Sequence, residues 1–157
     1  MKLNNTATSV GSSPCFSGQG DFLYTELTSM PKRVLEIFNI ELSSWLRSLD
    51  FMEQENAFMK NNLSRILDSF NEEGLISWAD EYQGIILQRE AVMDLLREDI
   101  LKQEALIAAS GYNDHSFVKN SVTAVQKEIR SKIEYVEKEF QVLKGSFIHD
   151  FERITNI

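Results

Sequence analysis

The residues best suited to metal or acid–base chemistry are two histidines, and their spacing matches no known site. His115 precedes the last predicted helix and His149 lies near its end, so the two cannot share a site within one chain. The sequence contains no Glu-x-x-His, no His-x-x-x-His and no Cys-x-x-Cys spacing, which di-iron and zinc sites require. We therefore predict no metal site and no cofactor.

Nucleophilic chemistry has equally little support in the sequence. Cys15 is the single cysteine and stands in a stretch rich in Ser, Thr and Gly, with no base assignable to it. No serine occupies a Gly-x-Ser-x-Gly turn, and the glycines at 18 and 20 form neither a Rossmann nor a P-loop pattern. These absences lead us to predict that the protein is not an enzyme.

The charge balance narrows the classes of partner. The chain of 157 residues carries a formal net charge of −8, which argues against binding to nucleic acid and to anionic membrane surfaces. The amino terminus has no apolar secretory signal, and no stretch is long and apolar enough to span a membrane. We expect a cytoplasmic protein that binds neither nucleic acid nor membrane.

Helix-breaking residues are concentrated at the start of the chain, and the rest has helical periodicity. Residues 1–28 are predicted to be a flexible tail, with a short apolar segment at 21–27. That segment either docks on the body, which we prefer, or binds a partner. Residues 29–157 are predicted to form helices over about 31–72, 75–110 and 114–154, with Gly74 and Gly111 as left-handed stops. Short turns between such long helices predict an all-α fold, an elongated antiparallel three-helix bundle with coiled-coil-like packing.

Each predicted helix has an apolar seam. The seam of the first helix alternates in steps of three and four, as a heptad requires, and that of the third follows a period nearer 3.6. The second helix offers two overlapping seams, one of which includes Val92, and this suits contact with two neighbours. The first seam consists of Leu35, Phe38, Leu42, Trp45, Leu49, Met52, Asn56, Met59, Leu63, Ile66 and Phe70.

Polar residues interrupt these seams near mid-helix. Asn56 interrupts the first seam and Arg89 interrupts both seams of the second helix. If the turns centre near residues 73 and 112, antiparallel pairing brings Asn56, Arg89, Glu90 and Glu134 into one buried polar layer. We interpret this layer as a device that specifies helix register, in preference to a ligand or ion site.

A line of apolar residues lies outside the main seam of the first helix. Ile37, Phe51 and Phe58 share one heptad position, although Ser44 and Arg65 occupy the same line. Monomeric proteins rarely leave such a patch bare. The tail could reach the patch only near Ile37, so we predict a protein partner surface centred on Phe51 and Phe58, most simply a homodimer.

The function that we predict is a non-enzymatic coiled-coil interaction or scaffold protein that acts through its helical surface. The first alternative is an adaptor or export-chaperone-like protein that binds an amphipathic helix of a client in an apolar groove. The second is a metal-binding or enzymatic helical bundle completed by dimerisation.

Overall fold

Three helices make up almost all of the part of the chain that the structure describes. This computed structural model describes residues 32–110 and 116–155, with side chains in the last helix from residue 120 onward. The helices are α1 (Lys32–Ser69), α2 (Glu73–Ser110) and α3 (Ser116–Thr155). The predicted tail at 1–28, with its apolar segment at 21–27, lies outside the described residues.

The helices form the predicted elongated antiparallel bundle. At 1.5 Å per residue each helix is roughly 60 Å long. α2 runs antiparallel to both neighbours, so α1 and α3 are parallel to each other. α2 packs more extensively against α1 and α3 than these two pack against one another. The predicted all-α fold class is confirmed, and α1 and α3 meet along a looser seam.

The core follows the predicted seams with two exceptions. α2 buries the seam of Ala79, Tyr82, Ile86, Met93, Leu96 and Ile100, whereas Val92 of the other seam is 48% exposed. Phe70, predicted as the last seam residue of α1, is exposed because the helix ends at Ser69. The apolar core otherwise runs along the bundle through Leu42, Leu49, Met52, Met59, Leu63, Ile129, Ile133, Phe140, Leu143 and Phe147.

Glycine plays a different part in the first turn from the one predicted. Gly74 is the second residue of α2 and does not have the left-handed conformation expected of a helix stop. The carbonyl of Glu72 instead accepts hydrogen bonds from the backbone amides of Leu75 and Ile76, at 3.0 and 3.1 Å, and so begins α2. Glu73 adds a negative charge to the first turn, where the helix dipole favours it.

Candidate interaction surface

The predicted outer line on α1 is exposed to solvent. Ile37, Phe51 and Phe58 are 54%, 49% and 63% exposed, and we call these three residues the outer stripe. They share one heptad position on the side of α1 that faces outward next to α3. The structure therefore places two aromatic rings, two helical turns apart, on the surface of the bundle.

Phe51 stands at the edge of a small cleft between α1 and α3. The ring of Phe51 meets Phe140 edge-on, with 6.4 Å between the two ring centroids. Nζ of Lys144 lies 5.6 Å from the centroid of the Phe51 ring. The cleft encloses about 380 Å³. Its lining residues are Ser48, Phe51, Met52, Glu134, Glu137, Lys138, Phe140 and Gln141.

Three polar pairs spaced by one heptad join α1 to α3 beneath the outer stripe. Arg130 donates to both carboxylate oxygens of Glu41 at 2.7 Å. One heptad on, the hydroxyl of Ser48 donates to Glu137 at 2.5 Å, and in the next heptad Lys144 pairs with Glu55 at 2.5 Å. Because these pairs span the seam, the cleft is short and has charged walls.

The four residues of the predicted polar layer do not come together. Asn56 is fully buried, as its seam position predicted, and its Nδ2 lies 4.0 Å from Sδ of Met93. Arg89 instead forms an ion pair with Glu139. Glu90 accepts a hydrogen bond from Lys60 at 2.8 Å, and Glu134 is an exposed residue on the wall of the cleft.

The cause of this error is a shift in helix register by about one turn. Asn56 lies level with Met93, whereas the assumed turn centre placed it near Glu90. The ion pair between Arg89 and Glu139 shows a shift in the same direction between α2 and α3. A displacement of three to four residues moves each partner by one helical turn and removes Glu134 from the layer.

A different polar network crosses the bundle nearer the far end of α2. Gln103 donates to the carbonyl of Val122 at 2.8 Å and to Oε1 of Gln126 at 3.1 Å. Gln126 donates in turn to Oε2 of Glu41 at 2.9 Å, which also receives Arg130. The network links all three helices. The two glutamines have the spacing of seam residues, and this spacing was the sign of the network in the sequence. It is not recognised when only apolar residues are used to define the seams.

The opposite end of the bundle holds an aromatic cluster with one strong hydrogen bond. The ring of Tyr82 packs against Trp78 and Phe147, with centroids 5.0 and 5.5 Å away, and its hydroxyl donates to Asp150 at 2.8 Å. Burial, followed by this hydrogen bond and the charge of Asp150, raises the pKa of Tyr82 to about 12. The same hydrogen bond lowers the pKa of Asp150 below its ordinary value. The arrangement stabilises the protonated phenol, which is consistent with a structural role.

The remaining candidate residues for chemistry form no group within the part of the chain that the structure describes. Cys15 and His115 lie outside the described residues, and His149 is exposed on α3. Within 32–110 and 116–155, no set of three or more His, Cys, Asp or Glu side chains is placed to hold a metal ion. None of the helices in those ranges has an apolar stretch that could cross a membrane.

Comparison of this chain with models of protein families, with characterised proteins and with solved structures finds no match.

Proposed function

We propose that this chain is a non-enzymatic interaction or scaffold protein that binds a protein partner through the outer face of α1. The observation that carries the proposal is the exposure of Phe51 and Phe58 on one line of a rigid helix. Burying a phenylalanine ring against a partner contributes roughly 2 kcal/mol. Two adjacent rings therefore offer a partner a compact source of binding energy.

Other exposed apolar residues lie on α2, at Leu87, Val92, Leu95 and Leu101, and on α3, where Tyr135 and Val142 are one heptad apart. Of these groups, only the outer stripe of α1 presents two aromatic rings. Aromatic residues are enriched in protein interfaces, and charged residues are depleted from interface centres. Between Phe51 and Phe58 the fully exposed positions are the uncharged Gln54 and Ala57, while Glu55 is half-buried and paired with Lys144 on the side towards α3.

The client-binding adaptor remains a second candidate because of the cleft beside Phe51. Met52 and Phe140 contribute apolar surface to it, and an amphipathic helix could insert one side chain there. The polar pairs at Ser48 and Glu55 limit the cleft to a short length of the seam. A metal-binding or enzymatic bundle completed by dimerisation has no supporting observation among the described residues, and a cytoplasmic location stays a prediction.

A site-specific photo-cross-linker tests the proposal directly. We would place p-benzoylphenylalanine at position 58 and, as a matched control on another face, at position 87. We expect irradiation in the cells of origin to yield a discrete protein adduct from position 58 only, and the Phe51→Glu substitution to abolish that adduct. The same adducts from both positions, or none from position 58, would contradict the proposed surface.

A stability control accompanies the cross-linking. The Phe51→Glu variant and the Leu101→Glu variant, each with the cross-linker at position 58, each replace one apolar residue that is 49% exposed. Both should keep the helical circular dichroism of the wild type. Loss of the adduct in the first variant with retention in the second assigns the binding to α1.

A further inference from the structure

We propose that Phe51 and Phe58 of the outer stripe bind a second copy of this chain, with the two α1 helices packed antiparallel about a two-fold axis level with Ala57 and Phe58. This inference rests on the proposed function, because it names the partner of the same surface. It is carried by a self-complementary pattern on the exposed face of α1.

The outward face of α1 consists of three parallel lines of residues, each repeating every seven positions. The central line and its two flanks are exposed throughout their length. The central line is Arg47, Gln54, Asn61 and Asp68; one flank is Asp50, Ala57 and Ser64; the other is Ser44, Phe51, Phe58 and Arg65.

An antiparallel partner makes the central line complementary to itself. A two-fold axis level with residues 57 and 58 places Arg47 opposite Asp68 of the second copy, and Asp68 opposite Arg47. The same axis places Gln54 opposite Asn61, so two side-chain amides meet near the middle. The interface would thus have a polar centre line that ends in an ion pair on each side.

The flanks match under the same operation. Each flank with small residues faces the phenylalanine flank of the other copy, so Phe58 lies against Ala57 and Phe51 against Ser64. Small side chains opposite the rings let the two helix backbones approach closely. Asp50 meets Arg65 at the edge, where an exposed pair contributes little energy but favours one register.

Charge favours this face over that of α2. Over positions 43–71 the three outward lines of α1 carry two basic and two acidic residues, so this face is neutral in a chain with a net charge of −8. The corresponding outward residues of α2 include Asp80, Glu81, Asp94 and Glu98 against the single basic Lys102. Two copies that met through α2 would therefore repel each other.

The charged residues of this face are also available to a partner. Arg47, Arg65 and Asp68 make no ion pair with any other described residue, and Asp50 pairs with Arg97 at 2.8 Å through one carboxylate oxygen. A parallel arrangement of the two helices would place Arg47 beside Arg47 and Asp68 beside Asp68. Only the antiparallel arrangement pairs opposite charges at both ends.

A charge exchange between Arg47 and Asp68 tests the partner and the orientation together. In purified Arg47→Asp protein, and in purified Asp68→Arg protein, each copy faces a like charge at both ends of the interface. We expect either single variant to weaken dimerisation by about tenfold in sedimentation equilibrium. An equimolar mixture of the two variants, and separately the Arg47→Asp, Asp68→Arg double variant, should regain the wild-type affinity.

This rescue can arise only between copies. Residues 47 and 68 are roughly 30 Å apart along one rigid helix, so they cannot pair within a chain. A Lys127→Asp variant, which changes an exposed charge on α3, provides the control that should show no rescue when mixed with Asp68→Arg protein.

The outcomes separate this inference from the proposed function. If the purified wild type stays monomeric at high concentration while position 58 still cross-links a different protein in cells, the inference of a second copy is wrong. The proposed function then stands. A dimer that Phe51→Glu, Phe58→Glu disrupts but that shows no rescue in the mixture overturns the antiparallel register. Rescue in the mixture, with loss of dimer in the phenylalanine variant, supports the inference.

Discussion

Nε2 of Gln103 donates a hydrogen bond to Oε1 of Gln126 at 3.1 Å, and both side chains are 1% exposed. The pair lies in the core between α2 and α3, and Gln126 continues it to Glu41 of α1. Buried amides without partners are costly, so a connected set of this kind fixes which residues of the three helices stand level. Shifting any helix by one turn would leave these groups unpaired.

Gln126→Leu should destabilise the protein by about 1–3 kcal/mol, because the buried amide of Gln103 loses one of its two acceptors. Chemical denaturation followed by circular dichroism measures this loss. The Gln103→Leu, Gln126→Leu double variant should be more stable than the sum of the two single effects predicts, since it leaves neither amide unpaired. Strict additivity of the two substitutions would show that the hydrogen bond contributes no coupling energy.

Asn56→Leu should raise the free energy of unfolding by about 1 kcal/mol. Oδ1 of Asn56 is buried and has no hydrogen-bond partner, while Nδ2 reaches only the weak acceptor Sδ of Met93. An apolar side chain of similar size removes that unsatisfied group. Asn56→Asp is the opposite control, because a buried carboxylate beside Met93 should lower the melting temperature. If Asn56→Leu instead lowered the free energy of unfolding by several kcal/mol, the amide of Asn56 would have to satisfy another buried polar group.

The helices and their seams were predictable because their signals are local and repeated. Heptad spacing places Leu42, Leu49, Met52 and Met59 on one side of α1 wherever the other helices stand. Asn56 is buried for the same reason. The exposure of Phe51 and Phe58 also follows from their shared position outside the seam.

Register was not predictable, because it is set by which side chains pack across the helices and not by the midpoint of the turn. The ends at Ser69 and Glu73 centre the turn near residue 71, which would place Asn56 level with residue 86, yet Asn56 lies level with Met93. Gln126 was missed, although it has seam spacing between Val122 and Ile129, because the adjacent Val125 also fits the apolar pattern there.

Tyr82→Phe should remove one component of the pH dependence of stability. Folding raises the pKa of Tyr82 to about 12, so its contribution is present below the ordinary value of 10.0 and is lost as the pH rises through 12. The difference in unfolding free energy between wild type and Tyr82→Phe should therefore shrink between pH 10 and pH 12. Tyr135→Phe, on the exposed face of α3, is the control. A constant difference across this range would mean that burial and the hydrogen bond to Asp150 do not hold the phenol protonated.

Gly84→Ala and Gly145→Ala should each stabilise the protein by about 0.5–1 kcal/mol, because glycine inside a helix has an entropic cost relative to alanine. A Cβ atom at Gly145 would meet nothing within 4 Å, as at Gly84. Both residues are exposed helix-interior positions of α2 and α3.

Thermal unfolding of the single and double variants measures the effects, which should add because no contact joins the two sites. Gly74→Ala, in the first turn of α2, is the control and should change stability less. A lower melting temperature for Gly145→Ala alone would mean that something packs against this turn of α3, and that surface would then have to be counted as a second interface.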